Sequence, residues 1–149
     1  RSAARLAAVQ ALYELELSGK GVHEAVAEFE AHWLGREVES IPAREADANF
    51  FRDVVNGFVR EQPLLDKRID AALTKDWPLR RIESVLRAIL RAAAYELFFR
   101  MDVPPRAVIS EYIDVAHSFY EDDESRMVNA VLDVLAREAR PDDFTKARA

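Results

Sequence analysis

Apolar residues recur along this chain every three or four positions, the spacing of helices that bury one face. Leu6, Val9, Tyr13 and Leu17, broadened by Leu12 and Leu15, mark a first helix that Ser18-Gly19-Lys20-Gly21 ends. Val22, Ala25, Val26, Phe29 and Trp33 mark a second, stopped near Gly35, and the polar residues 36–43 read as a loop. Phe50, Phe51, Val54, Val55, Phe58 and Val59 define a third. Pro63 suits the first turn of a fourth, which buries Leu64, Leu65, Ile69 and Leu73, because the opening turn of a helix needs no N–H from it.

Asp76-Trp77-Pro78 interrupts the pattern. Proline disfavours helical geometry in the residue before it, so Trp77 marks the junction between two helical halves, residues 1–76 and 78–140. A fifth helix over residues 79–100 is the most apolar, with Ile82, Val85, Leu86, Ile89, Leu90, Ala93 and Leu97 turned inward, and is expected at the centre. Val103-Pro104-Pro105 leads into a sixth carrying Val108, Ile109, Tyr112, Ile113, Ala116 and Phe119. The acidic run from Glu121 to Glu124 suits the start of a seventh, where the helix dipole favours negative charge; Met127, Val128, Val131, Leu132 and Leu135 then face the core. The polar tail after Pro141 is expected to fray. The pattern predicts an all-α fold, about seven helices in two packed bundles forming one domain.

Composition narrows the function. The chain has 149 residues, half of them hydrophobic, which suffices for a sizeable core, and only four glycines and six prolines. With no cysteine it can form neither a disulfide nor a thiolate metal site. Its three histidines, His23, His32 and His117, lie far apart and match no metal-ligand spacing. No glycine-rich phosphate loop and no GxSxG elbow is present, and the carboxylate run reads as a solvated helix cap. The expectation is a protein without cofactor or catalysis. There is no run of 18 apolar residues and no signal-peptide hydrophobic region, which points to a cytoplasmic protein with no membrane association. A net charge of −6 argues against sequence-independent coating of nucleic acid, so any RNA site must be local.

Several short strings, in fixed order, are similar to one family. Ala8-Val9-Gln10-Ala11-Leu12-Tyr13 follows an arginine-bearing opening, Arg1 to Arg5. Ile89-Leu90-Arg91 precedes Ala94-Tyr95-Glu96-Leu97; Asp102-Val103-Pro104 precedes the next helix; Val128-Asn129 and Val131-Leu132-Asp133 come last. Together these resemble the NusB family of transcription antitermination factors over residues 1 to 135. The resemblance implies two packed helical bundles and no cofactor. It also implies binding of boxA-like RNA in ribosomal RNA transcripts together with NusE, a small-subunit ribosomal protein, within an RNA polymerase antitermination complex. Some relatives form homodimers that cover the RNA face, so monomer and dimer both stay open. Two other readings also stay open: a NusB-like domain of a ribosomal RNA methyltransferase, and a helical interaction module without RNA binding.

The sequence departs from the family at several points. Ser2 and Ala3 stand where consecutive arginines are common, Ala130 replaces the glycine of V-N-G, and Met127 replaces an aromatic. Val85-Leu86-Arg87 stands for V-E-R, so Leu86 removes a carboxylate from a surface where relatives meet partners.

The RNA candidates are Arg1, Arg5, Tyr13, Arg80 and Arg87. Arg1 and Arg5 project within about 40° of each other with Leu12 between them, an azimuth shared with the core. A first turn overhanging the bundle would free both guanidinium groups for phosphate; a frayed, solvated end is the alternative. Arg80, Ser84, Arg87 and Arg91 form a basic stripe along which an RNA backbone fits, although Glu83 can pair with Arg87 within the helix and Arg91 reads as structural. Tyr13 offers a ring for stacking on a base, or is core with a wet hydroxyl. The partner candidates are Leu86, Asp123 and Met127, the last two set against helix capping and core packing respectively.

Overall fold

Seven α-helices and one 3-10 turn carry the described residues of the computed structural model, 1–33, 41–74 and 77–146, and no strand occurs among them. They are α1 (Ser2–Ser18), α2 (Val22–Trp33), α3 (Ile41–Ala72), the turn Leu79–Arg81, α4 (Ser84–Phe99), α5 (Pro105–His117), α6 (Asp122–Ala139) and α7 (Pro141–Lys146). The all-α expectation is met. None of the described helices is long and apolar enough to cross a membrane.

The most apolar helix does take the centre: α4 packs against α1, α3, α5 and α6. It buries Ala88, Ile89, Leu90, Ala92, Ala93, Ala94 and Leu97, and α1 buries Ala4, Ala7, Ala8, Val9, Ala11 and Leu12. So many alanines on two contacting helices let their axes approach closely, which keeps small side chains useful as core. Helix α1 stops at Gly19, whose φ of 70° and ψ of 12° suit a residue without Cβ and whose N–H caps the Leu15 carbonyl at 3.3 Å.

Five expected boundaries are corrected. The third and fourth predicted helices are one, α3, with Pro63 inside it. Phe51, Val55, Phe58, Leu65 and Ile69 fall on one continuous buried stripe, so the core reads straight through the proline. The carbonyl that Pro63 leaves without a donor, that of Val59, belongs to an exposed residue, so water offsets the loss. Helix α3 also begins at Ile41, inside the stretch read as loop; residues 34–40 lie outside the described residues.

The predicted helix over residues 79–100 splits in two. Ile82 closes the 3-10 turn through its N–H to the Leu79 carbonyl, and Glu83 caps α4, its carboxylate accepting from the N–H groups of Val85 and Leu86 at 3.2 and 3.4 Å. Glu83 therefore serves the backbone rather than Arg87. Phe119, expected on the sixth helix, lies beyond the end of α5 and is exposed. Residues 141–146 of the tail form α7, whose Phe144 packs on the core beneath the Arg137 guanidinium, 4.7 Å from the ring centre.

At the far end of α4, Arg140 reaches in from the C-cap of α6 and is itself buried. Its guanidinium donates to the carbonyls of Glu96 at 3.0 Å, Leu97 at 2.8 Å and Arg100 at 2.7 Å. The Glu96 carbonyl also accepts from the Arg100 N–H at 2.9 Å and that of Arg100 from the Val103 N–H at 3.1 Å, so the guanidinium adds a second donor to each and supplies one to the Leu97 carbonyl, whose burial without a partner would be costly.

Candidate nucleic-acid interface

At the opening of α1 the charges close on one another. Arg5 is only 4% exposed and makes a bidentate pair with Glu96, which is 0% exposed, both N–O distances being 2.9 Å. Tyr112 also donates its hydroxyl to Glu96. Glu111 stands 3.7 Å from the Arg5 guanidinium and accepts from the Ser2 hydroxyl at 2.9 Å. Burial works against the charge on Arg5, but the hydrogen bond and charge of Glu96 outweigh it and raise the guanidinium above its ordinary pKa. Burial, reinforced by the negative charge of Glu96, pushes the Tyr112 hydroxyl well up.

The expectation of a free Arg5 guanidinium is therefore corrected. A buried arginine is costly alone, and the fold answers with a carboxylate rather than by overhanging the bundle. Arg1 differs: its side chain is 49% exposed, with Asp102 3.9 Å from its guanidinium. Arg1, Arg5 and Arg100 all lie over the Phe50 ring, 4.6, 5.0 and 4.9 Å from its centre.

The other end of α1 carries a second network. Arg87 bonds Glu16 and donates to the carbonyls of Ile82 at 2.7 Å and Leu79 at 3.1 Å, pinning the 3-10 turn against α4. Arg91 joins Glu16 at 2.7 Å to Asp66 at 2.9 and 3.0 Å. The Arg87 hydrogen bond foremost, and then the charges of both arginines, hold Glu16 below the ordinary carboxylate value although partial burial opposes this. Arg87 is thus occupied, whereas Arg80 in the turn is exposed and has no ion-pair partner among the described residues.

The five RNA candidates do not form one site. Arg1 and Arg5 sit at one end of α1, Arg80 and Arg87 at the other, and a helix of 17 residues spans roughly 25 Å. Tyr13 lies between them, partly buried against the core. Among the partner candidates, Leu86 is 6% exposed and offers almost no surface. Asp123 is 91% exposed and only 3.5 Å from Arg126, and Met127 packs partly against the core one turn later. Both belong to the start of α6, where Asp122, Asp123 and Glu124 complement the helix dipole. No group of three potential metal ligands occurs among the described residues.

Sequence reading missed Glu96, Tyr112, Glu16 and Arg140. Glu96 was detectable, because it falls seven residues after Ile89 on the apolar face of α4, where a carboxylate needs a cation.

The sequence profile of the NusB family matches residues 2–137. The chain belongs to the NusB family. A protein of Rhodopseudomonas palustris (strain HaA2), called transcription antitermination protein NusB, is 60% identical over 98% of this chain and 86% of its own length. The structure of T. maritima NusB superposes with a TM-score of 0.78 at 29% identity, over 97% of this chain and 96% of that one. The fold is also that of NusB in a crystal structure of the antitermination factors NusB and NusE with double-stranded RNA: TM-score 0.77 at 24% identity, over 93% and 96% of the two chains. The strings Val9-Gln10-Ala11-Leu12-Tyr13 and Tyr95-Glu96-Leu97 that resemble NusB thus supply contacting surfaces of α1 and α4, and the NusB-like arginine at position 5 finds its acid in the second string.

Proposed function

We propose that this chain is a non-enzymatic, cytoplasmic transcription antitermination factor that binds boxA-like RNA together with a NusE-type ribosomal protein. One observation carries the reading: 60% identity over 98% of the chain to a protein named for antitermination. The same match, spanning 86% of that relative, favours the free-standing factor over a methyltransferase fragment.

Within that reading, Arg1 and Arg80 contact RNA phosphate directly, since their side chains reach solvent. Arg5 and Arg87 act through the fold: one ties α1 to α4, the other holds the turn that carries Arg80. Asp123 and the exposed part of Met127 meet the protein partner, and an acidic helix start suits a basic ribosomal protein better than it suits phosphate. Tyr13 supports whichever neighbour covers the middle of α1.

The test is a titration of boxA-like and scrambled RNA at several concentrations of a NusE-type protein. Coupling between two co-binders is reciprocal, and a typical value of about 1–3 kcal/mol appears as roughly 5- to 150-fold in affinity. Equal affinity for both RNAs, or affinity independent of the partner, overturns the proposal.

A further inference from the structure

A groove of about 720 Å³ runs between α1, α3 and the 3-10 turn, and the functional reading above does not use it as a whole. Its floor is apolar: Leu12 and Leu15 from α1, Phe58 and Val59 from α3. Val59 is exposed there, and Trp77, just before the groove-lining Pro78, is exposed too. The charges around this floor divide into two sets. Glu16, Asp66 and Asp70 are satisfied from within: Glu16 by Arg87 and Arg91, Asp66 by Arg91, and Asp70 by the Leu79 N–H at 2.8 Å. Lys67 and Arg80 also line the groove, are exposed, and have no anionic partner among the described residues. The groove therefore presents an apolar floor with positive charge left over at its rim, on walls that the Glu16, Arg87, Arg91 and Asp66 network already holds in place.

We propose that this groove is a docking site for an acidic, amphipathic helical segment of a partner protein. Apolar side chains of the segment would cover Leu15 and Val59, and its carboxylates would face Lys67 and also Arg80, where they would compete with the RNA phosphate that the reading above gives to Arg80. Charge complementarity selects that occupant. A basic ribosomal protein would be repelled by the two unpaired cations, so the groove is separate from the acidic surface at the start of α6. A nucleic acid would satisfy the cations and find one exposed ring, Trp77, at the edge, but it would leave the aliphatic floor, whose own ring Phe58 is buried, uncovered. The net charge of −6 repels an acidic segment from most of the molecule, which makes such binding a local event.

The experiment follows the methyl NMR signals of Leu12, Leu15 and Val59 while adding one of three probes: a designed helix of Leu and Glu, its Leu and Lys counterpart, or single-stranded poly-U RNA. Expected are saturable shifts of the groove methyls with the acidic helix alone, and binding about tenfold weaker in the Lys67→Glu/Arg80→Glu double variant, whose exposed side chains leave the fold intact. Val59→Asp should abolish the same shifts while preserving helicity. The inference is overturned if the basic helix or the RNA shifts these methyls as strongly, if the acidic helix shifts others instead, or if the double variant binds it unchanged.

Discussion

Arg5 and Glu96, 91 residues apart in sequence, meet as a bidentate pair in a place neither can leave without exposing the other as a lone charge in the core. Removing one partner of such a buried pair typically costs about 3–5 kcal/mol, because the survivor must be neutralised or hydrated. We expect Arg5→Met or Glu96→Met alone to lower urea stability by that order, and the Arg5→Met/Glu96→Met double variant to lose less than the two single changes added together. Strict additivity in the double-mutant cycle would mean the pair is not coupled.

Gly57 sets a second constraint. A Cβ at this position would run into the Tyr95 ring, whose hydroxyl donates to Asp53 at 2.8 Å. Alanine at a helical glycine normally stabilises by about 1 kcal/mol, but overpacking costs about 1–3 kcal/mol and here also displaces the hydroxyl from its acceptor. Gly57→Ala should therefore destabilise, with Gly21→Ala, where nothing lies within 4 Å, as the near-neutral control. Thermal unfolding of both variants decides; a Gly57→Ala midpoint at or above that of the parent rejects the contact.

Stability should fall at both ends of the pH scale for different reasons. Glu16 has its folded pKa lowered, chiefly by the Arg87 hydrogen bond, so its contribution is present above the ordinary value of 4.5 and is lost as pH falls through the lower folded value. Tyr112 has its pKa raised, chiefly by burial, so its contribution is present below the ordinary value of 10.0 and is lost as pH rises toward the folded value. Urea midpoints against pH should lose part of their acid slope in Glu16→Gln and part of their alkaline slope in Tyr112→Phe. Parallel profiles for parent and variants would contradict this assignment.

Arg80 and Arg87 should separate cleanly. Arg80→Ala should leave stability within about 0.5 kcal/mol and reduce the salt dependence of RNA binding by about one released counterion. Arg87→Ala should instead cost about 1–3 kcal/mol, since the Leu79 and Ile82 carbonyls and Glu16 lose their donor. A salt slope altered by Arg87→Ala in a fully folded variant would return that residue to the RNA surface.

Much of the architecture was legible because helical periodicity reports burial directly. The apolar stripes of α4, α5 and α6 located their inner faces, and α4 was read as central from apolarity alone. What misled were local signals overruled by packing. Pro63 announces a helix start, yet the stripe from Phe51 to Ile69 continues through it. Leu79 follows the apolar period of α4 but belongs to a separate turn, because Glu83 and Arg87 spend their side chains on the backbone there. The site was less legible for a related reason: an arginine in a sequence does not disclose its acid. Arg5 at a core azimuth and Glu96 on a core face were each an anomaly, and only their meeting resolves both.

Arg140 gives the chain a particular order of completion. Three carbonyls at the end of α4, that of Leu97 above all, accept from the side chain of a residue 40 to 44 positions later. As the chain leaves the ribosome, the central helix therefore emerges with the Leu97 carbonyl short of its donor, and stays so until α6 has been made and folded back along it. The latch on the central helix lies some forty residues downstream of it, which ties the durability of the centre to the arrival of α6 and makes chains cut short of α6 poor competitors for the finished fold.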